Sequence, residues 1–300
     1  MRSAHAPRLA AALSVAAAVL VAAGCGGSSS STTTAGTTTA GGGSSGAAAL
    51  PSKYASKGTL TVATDASYAP MEFYSSNGKT IVGMDPDLAN AIGKVLGVKI
   101  KMVNASFDSI IPALQAGKYD LSMSAFTDTK KRQQVVDFVT YFVAGTSFYV
   151  PKQGGPTING LSDLCGHTVA VEKGTIQADD ATAQSKKCTS AGKKPVKVSV
   201  FPDQNGANLA ISSGRADVGM ADSPVAAWIV KQSGGKFKLT GQPYDTAPYG
   251  IALPKGSGLA KPFQAALKKV IANGAYAKIL KKWGISQGGI TNPQINAAKS

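Results

Sequence analysis

The chain has 300 residues, and Lys and Arg outnumber Asp and Glu by 31 to 16, which gives a formal net charge of +15. This basic balance could indicate nucleic-acid binding, but the lysines are dispersed and no dense arginine cluster occurs, so the sequence argues against that partner. With two histidines, and cysteines whose spacing matches no zinc pattern, it predicts no metal site and no cofactor.

The first fifty residues predict an exported and tethered protein. An uncharged apolar run at 9–23 follows a basic start and is shorter than the roughly 20 residues that a membrane span needs, which is typical of a signal peptide over 1–24. The small residues before Cys25 resemble the lipobox of bacterial lipoproteins, which implies lipidation of Cys25. Ala22 departs from the usual Leu, so an ordinary cleaved signal peptide stays open. Residues 25–49, beyond that cysteine, are rich in Gly, Ser and Thr and predict a flexible linker.

The remaining cysteines, Cys165 and Cys188, lie in the folded part of the chain. Because a pair of cysteines in an exported protein is usually oxidised, the sequence predicts a disulfide between them.

The folded part alternates short apolar runs with helical patterns. The first series predicts a strand over 59–64, a helix capped by Asp85 and stopped by Gly97, a strand over 98–103, a helix over 106–116 and a strand over 120–124. The second series predicts strands over 168–171, 196–201 and 216–220, helices from Thr175, over 205–213 and over 223–232, and two final helices over 260–273 and 275–283. Extended segments at 144–150 and 249–253 join the two series, which favours two α/β lobes linked by two crossings.

The order of several motifs is specific to one family. They run from TDASYAPMEF (64–73) and GMDPDLA (83–89) through FDSIIPAL (107–114), DLSMS (120–124), KRQQVVDF (131–138), TVAV (168–171), GRAD (214–217), DSP (222–224) and YGIA (249–252) to KWG (282–284). Over about 58–286 the chain thus resembles the family 3 solute-binding proteins, the polar amino-acid-binding proteins of bacterial ABC importers. Within the family it most resembles the lysine/arginine/ornithine- and histidine-binding branch.

This resemblance implies an α/β, two-lobed periplasmic-binding-protein fold of type II, with central sheets joined by a two-strand hinge. Lobe 1 would comprise residues 50–145 and 247–300, and lobe 2 residues 146–246.

The resemblance also implies which residues hold the α-groups of an amino acid. A planar, bidentate donor suits the ligand carboxylate, and Arg132 occupies the family's position for it, although a surface arginine in a basic cluster is the alternative. Asp222 occupies the position that meets the ammonium group, and a helix N-cap is its alternative. The other implied contacts are Thr127, Ser124, Ala125 through its backbone, Ile176 through its amide, and Gln177.

The ligand side chain would lie between two aromatic residues and two acids. Tyr68 and Phe107 match aromatic positions that sandwich the ligand, although Phe107 could belong to the core. Asp65 matches an acid that pairs with a cationic side chain, with a turn or cap residue as its alternative. Glu172 stands where glutamine-binding relatives have Lys. Glu72 is expected to face away from the site.

The implied function is capture of a polar, cationic amino acid (Arg, Lys, ornithine or His) and its delivery to a membrane permease and its ATPase, which are other chains. The protein would be a monomer, lipid-anchored outside the cytoplasm, with no catalytic residues. Three alternatives stay open: a binder of glutamine or another polar amino acid, an enzyme like the periplasmic prephenate or arogenate dehydratases, and a sensory lipoprotein that binds without transport.

Overall fold

A computed structural model describes residues 49–298. The predicted signal peptide, the lipidated Cys25 and nearly all of the predicted linker lie outside these residues. The strands are β1 Thr59–Thr64, β2 Ser67–Tyr68, β3 Glu72–Tyr74, β4 Ile81–Val82, β5 Lys99–Asn104, β6 Leu121–Ser122, β7 Val136–Pro151, β8 Thr168–Glu172, β9 Lys197–Phe201, β10 Val218–Asp222 and β11 Phe237–Pro254. The helices are α1 Ser52–Ala55, α2 Met84–Leu96, α3 Phe107–Gln115, α4 Lys130–Gln133, α5 Ile176–Ser190, α6 Gln204–Ser212, α7 Ser223–Gln232, α8 Ala260–Ala272 and α9 Ala275–Trp283.

The strands form a sheet in the order β5-β1-β6-β11-β7-β10-β8-β9 and a small antiparallel sheet in the order β2-β3-β4. The three strands at each end of the large sheet pair in parallel, as strands linked through helices do. The two central strands pair antiparallel with each other and with their outer neighbours. The sheet therefore has two α/β halves that share β7 and β11, as the alternation of elements predicts.

The two central strands run through both halves. Strand β7 has 16 residues and β11 has 18, and their pairing shifts register between Thr240 and Tyr244 and again between Tyr244 and Ala247. Gly145 lies opposite the second shift, where a Cβ atom would come within 2.7 Å of the Tyr244 carbonyl oxygen. The predicted lobe boundaries at 145/146 and 246/247 fall at this irregularity.

The start of α2 differs from the prediction. Its N-cap is Gly83, whose φ of 141° only glycine adopts readily, and a Cβ there would collide with the backbone carbonyl of Met71. Asp85 lies inside the helix, and its carboxylate accepts hydrogen bonds from the Ala125 amide at 3.0 Å and the Tyr141 hydroxyl at 2.8 Å. The prediction that Asp85 caps the helix was wrong, because contacts distant in sequence claim its side chain. The predicted stop at Gly97 is confirmed, with φ of 72°.

The predicted disulfide is confirmed between Cys165 and Cys188, with 5.6 Å between their Cα atoms. It joins the end of a 3-10 helix, Leu161–Leu164, to the last turn of α5. Both cysteines pack in the apolar cluster around β8, away from the cavity described below. Within residues 49–298, no helix is long and apolar enough to cross a membrane.

Candidate functional site

One cavity between the two halves of the sheet collects all eleven predicted contact residues. They are Asp65, Tyr68, Phe107, Ser124, Ala125, Thr127, Arg132, Glu172, Ile176, Gln177 and Asp222, and the lining also includes Glu72 and Thr175. Several of these residues end or follow strands β1, β6, β8 and β10. The cavity therefore lies at the carboxyl ends of parallel strands, where α/β folds place their ligands.

Arg132 is the sole cationic side chain in the lining that the structure describes. Its backbone amide donates to the Thr129 hydroxyl, which caps the short helix α4. Its guanidinium donates to the carbonyl of Thr127 at 2.9 Å and to the carbonyl of Gly174 at 3.1 Å. The planar group also lies over the Phe107 ring at 5.4 Å, so its orientation is fixed by contacts on several sides.

Burial lowers the pKa of Arg132 to about 10, and nearby Asp222 opposes that shift. The guanidinium therefore stays cationic at neutral pH. The interpretation of Arg132 as a solvated surface arginine does not fit these contacts.

Asp222 precedes α7 but does not cap it through its side chain. Its carboxylate accepts from the Tyr68 hydroxyl at 3.1 Å and from the Gln177 amide group at 2.8 Å, and the same amide group donates to Thr146 at 2.9 Å. Burial raises the pKa of Asp222, while these hydrogen bonds and Arg132 favour its ionised form. The carboxylate is thus held in one orientation, with Arg132 as its nearby counter-charge.

Asp65 follows β1, and its side chain forms a hydrogen bond with the first residue of α3. Its carboxylate accepts from the Phe107 amide at 3.0 Å, and its own amide donates to the Ser124 hydroxyl at 2.9 Å. The carboxylate thus satisfies an amide at the start of α3, whose N-cap residue is Ser106, and the same side chain lines the cavity. Burial raises the pKa of Asp65. Phe107 stacks on Phe126 with ring centroids 4.3 Å apart, so it joins an aromatic pair and still lines the cavity.

Glu172 ends β8 and is 2 % exposed. One of its carboxylate oxygens, Oε1, has no hydrogen-bond partner within residues 49–298. Burial raises the pKa of this carboxyl well above its usual range, and the negative charges of Asp65, Asp203 and Asp222 add to the effect. A buried acid without a partner is costly, so this oxygen is available for a donor or cation entering the cavity.

Sequence reasoning missed two residues of the lining. Thr175 caps α5 by accepting from the Ala178 amide at 3.2 Å, and its hydroxyl donates to the Glu172 carbonyl at 2.7 Å. Because Thr is a preferred N-cap residue, a Thr at the predicted start of this helix could have indicated the capping role. The expectation that Glu72 faces away was wrong: Glu72 is fully buried, lines the cavity and accepts from the Ser124 hydroxyl at 3.1 Å.

Acidic groups outnumber cations in this cavity. Its described lining has four carboxyl groups, on Asp65, Glu72, Glu172 and Asp222, against the single guanidinium of Arg132. No group of His, Cys, Asp or Glu side chains within residues 49–298 is arranged to hold a metal ion. The arrangement suits a molecule that carries one carboxylate for Arg132 and more than one cationic group for the acids.

The two halves meet around the cavity in a closed arrangement. The Tyr68 hydroxyl bonds to Asp222, and the Asp108 carboxylate pairs with Lys173 at 2.8 Å. At the same rim the backbone amide of Gln204 donates to the Ser67 hydroxyl at 3.1 Å. These contacts join β2 and α3 on one side to the end of β10 and to the segments following β8 and β9 on the other.

Comparison with known proteins agrees with this architecture. The profile of the bacterial extracellular solute-binding proteins, family 3, matches residues 60–286. An arginine-binding protein of Corynebacterium glutamicum is 34% identical over 250 residues, covering 83% of this chain and 82% of that protein. A lysine/arginine/ornithine-binding periplasmic protein of Escherichia coli K12 is 31% identical over 244 residues, covering 79% of this chain and 89% of that protein.

Solved structures give the same result. An ancestral arginine-binding protein bound to arginine superposes with a TM-score of 0.69 at 40% identity, covering 75% of this chain and 98% of that one. A structure of an ancestral arginine-binding protein bound to glutamine also superposes with a TM-score of 0.69 at 40% identity, covering 76% of this chain and 98% of that one. The predicted two-lobed α/β fold is confirmed, and the chain belongs to the bacterial extracellular solute-binding proteins of family 3.

Proposed function

We propose that this protein captures a cationic amino acid, of the arginine, lysine and ornithine class, for an ABC importer. The observation that carries the proposal is the acidic excess in the cavity, where the carboxyl groups of Asp65, Glu172 and Asp222 face one guanidinium. A neutral amino acid brings one positive and one negative group and leaves this excess uncompensated. A cationic amino acid brings a second positive group, which a buried unpaired acid favours.

The proposed contacts follow the chemistry of each group. The ligand carboxylate meets Arg132 and the backbone amide of Ile176, which opens a 15-residue helix whose first N–H groups point outward. The ammonium meets Asp222. The side chain passes between Tyr68 and Phe107.

The cationic end of that side chain then reaches the acids. Asp65 and Glu172 lie on opposite sides of the shared central strands, so each half of the protein offers one acid. Ser124, Ala125 and Thr127 line the first half, and Gln177 orients Asp222 from the second.

Capture is proposed to proceed by closure of two lobes, residues 50–145 with 247–300 and residues 146–246. The register shifts of β7 and β11 at their boundary supply a place where the strands can bend. Ligand binding then stabilises the closed arrangement, in which both lobes present one surface to a permease.

The site of action is proposed to be outside the cytoplasm, with the chain held at the membrane by a lipid on Cys25 after removal of residues 1–24. The basic, short apolar and small-residue pattern of that segment supports export. The protein is proposed to act as a monomer beside its permease, with the ATPase on the cytoplasmic side.

Glutamine is the second candidate ligand, because an ancestral relative has been solved with it. Its neutral side-chain amide could donate to Glu172 or Asp65, but it supplies no charge to balance them. The enzyme alternative lacks support from the relatives named above, which are described as binding proteins. Consumption of prephenate by the purified protein would revive that alternative.

The test is calorimetric titration of the purified protein with the twenty amino acids, ornithine and citrulline. Arginine, lysine or ornithine should bind most tightly, and citrulline, which has arginine's shape without its charge, should bind at least tenfold more weakly. Equal affinity for arginine and citrulline would refute the charge argument. Preference for an acidic amino acid would refute the ligand class altogether.

A further inference from the structure

Two fully buried carboxyl groups, on Glu72 and Asp85, lie beside the cavity and accept hydrogen bonds from the adjacent residues Ser124 and Ala125. Glu72 comes from β3 and Asp85 from the first turn of α2. None of the ion pairs formed within residues 49–298 includes either side chain. Two neighbouring buried carboxylates without a cationic partner among the described residues cannot both keep a negative charge at reasonable cost.

The hydrogen bonds around the pair leave one oxygen open on each side chain. Glu72 Oε1 accepts from the Ser124 hydroxyl at 3.1 Å, and Asp85 Oδ2 accepts from the Ala125 amide and the Tyr141 hydroxyl. Glu72 Oε2 and Asp85 Oδ1 have no donor within the described residues. They are therefore the oxygens of the pair that remain for a shared proton.

We infer that Glu72 and Asp85 share one proton and that this pair positions Ser124 and Ala125 in the ligand cavity. With Glu72 as the donor, the bonds form a continuous series: the Asp65 amide to Ser124, Ser124 to Glu72, and Glu72 to Asp85. Asp85 in turn receives the Ala125 amide. Every oxygen of the series then has a partner.

The position of Ala125 shows what the pair supports. Its φ of 46° lies in the left-handed region, which a non-glycine residue adopts at a cost. The bond from its amide to Asp85 holds the backbone in that conformation, and the next residues lead to Thr127, whose carbonyl accepts from Arg132. Glu72 and Asp85 therefore act on the ligand through the residues they hold.

The charged and titratable surroundings agree with one retained proton. Burial raises the pKa of Glu72 well above its usual range, and the charges of Asp85 and Asp65 add to the effect. Burial also raises the pKa of Asp85, to about 6, although the Ala125 amide and the Tyr141 hydroxyl oppose the shift. Asp85 receives two donors and Glu72 receives one, so the hydrogen bonds favour the charged form on Asp85 and the shared proton on Glu72.

Infrared spectroscopy of the ligand-free protein tests the shared proton directly. At neutral pH the protein should show a protonated-carboxyl band that the Glu72→Gln variant lacks, because an amide cannot give that signal. Glu172→Gln is the matched control, because it replaces the other acid of the cavity whose pKa is raised well above its usual range, and it should leave the Glu72 band in place. A spectrum unchanged by Glu72→Gln at neutral pH would overturn the inference.

Unfolding measured across pH gives a second test without ligand. The pKa of Glu72 in the folded protein lies above its unfolded value of 4.5, so the stability from its proton is complete below that value and is lost as the pH rises toward the folded pKa. The glutamine side chain of the Glu72→Gln variant does not titrate, so the variant lacks this pH-dependent contribution to stability. Wild type should therefore lose stability relative to Glu72→Gln as the pH rises above 4.5, and a constant difference would contradict the inference.

Arginine titration tests the positioning role, and this arm rests on the proposed function. Glu72→Leu removes both the donor and the acceptor and should weaken arginine binding by roughly tenfold or more, whereas Glu72→Gln should restore most of the loss. Equal losses in the two variants would refute positioning by hydrogen bonding. If wild type binds no amino acid, the proposed function fails, and the infrared and unfolding arms still decide whether the proton is shared.

Discussion

The partnerless oxygen of Glu172 leads to the sharpest prediction about ligand choice. The Glu172→Gln variant keeps the size of the side chain and removes its negative charge. Glu172 is 2 % exposed, and its Oε1 has no partner within residues 49–298, so a cationic group of the ligand would bond to a desolvated charge. A hydrogen bond to a charged group contributes about 1.5–3 kcal/mol, which corresponds to roughly 10- to 150-fold in the dissociation constant.

Calorimetric titration with arginine and with glutamine checks this magnitude. Arginine should lose roughly 10- to 150-fold in affinity, whereas glutamine, whose side chain is neutral, should change by less than about threefold. The exposed Asp179, with a side chain 77% accessible, offers a matched control, since Asp179→Asn makes the same charge change and should alter neither affinity appreciably. Equal losses for arginine and glutamine would show that Glu172 is structural and refute the reasoning.

The same side chain predicts a pH dependence. Burial raises the pKa of Glu172 in the ligand-free protein, and a cationic ligand favours the ionised form, so binding should release a proton. Arginine affinity should therefore increase with pH until the pH exceeds that raised pKa. The slope should be smaller in Glu172→Gln, and an identical slope in both proteins would assign the linked proton to another group.

Three further predictions concern the anchor, the closure contact and the disulfide. Arg132→Lys keeps the charge but cannot reproduce the two hydrogen bonds to carbonyl oxygens at 2.9 and 3.1 Å. Calorimetric titration should therefore show a loss of roughly 100-fold in affinity for every amino acid that binds. Lys131→Ala, which changes an exposed neighbour, is the control and should change affinity by less than about threefold. Gly174→Ala should weaken arginine binding, because its Cβ would lie 2.9 Å from the Asp108 Cβ in the closed arrangement. It should also lower the melting temperature, because Gly174 has a φ of 80°, which strains Ala; normal affinity would contradict the closure argument. Replacing Cys165 and Cys188 by Ala should lower the free energy of unfolding, measured in urea, by about 3 kcal/mol. Arginine affinity should stay unchanged, and a large loss of affinity would show that the disulfide supports the cavity.

Much of this architecture could be predicted because it depends on local patterns. Apolar runs bounded by glycine and acidic residues marked the strands, and the residues at the strand ends, such as Asp65 and Asp222, lie together in the cavity. Alternating strands and helices fixed the α/β class, and the ordered motifs supplied the family. The predicted strand over 120–124 is shorter in the structure, Leu121–Ser122, because the chain turns toward the cavity at Ala125 with a positive φ.

The wrong predictions concern side chains whose partners are distant in sequence. Asp85 before Pro86 has the local pattern of a helix cap, but its partners lie 40 and 56 residues away. Glu72 faces inward because it meets Ser124, 52 residues downstream, and a three-residue strand gives no periodicity to reveal this. Tertiary contacts override local preference at both positions, and these are the two residues that share the inferred proton.

The path of β11 through the sheet has a consequence for how the chain folds during synthesis. This strand lies between β6 and β7, and helix α8, which follows it, packs on α2, so the half that begins near residue 50 is completed only by residues beyond 237. Its core cannot close until nearly the whole chain has been made. Residues 146–236 contain β8, β9 and β10 and can form local contacts earlier. We therefore expect the second half to gain structure first, and the half with Arg132 to fold slowly, through contacts of long sequence separation.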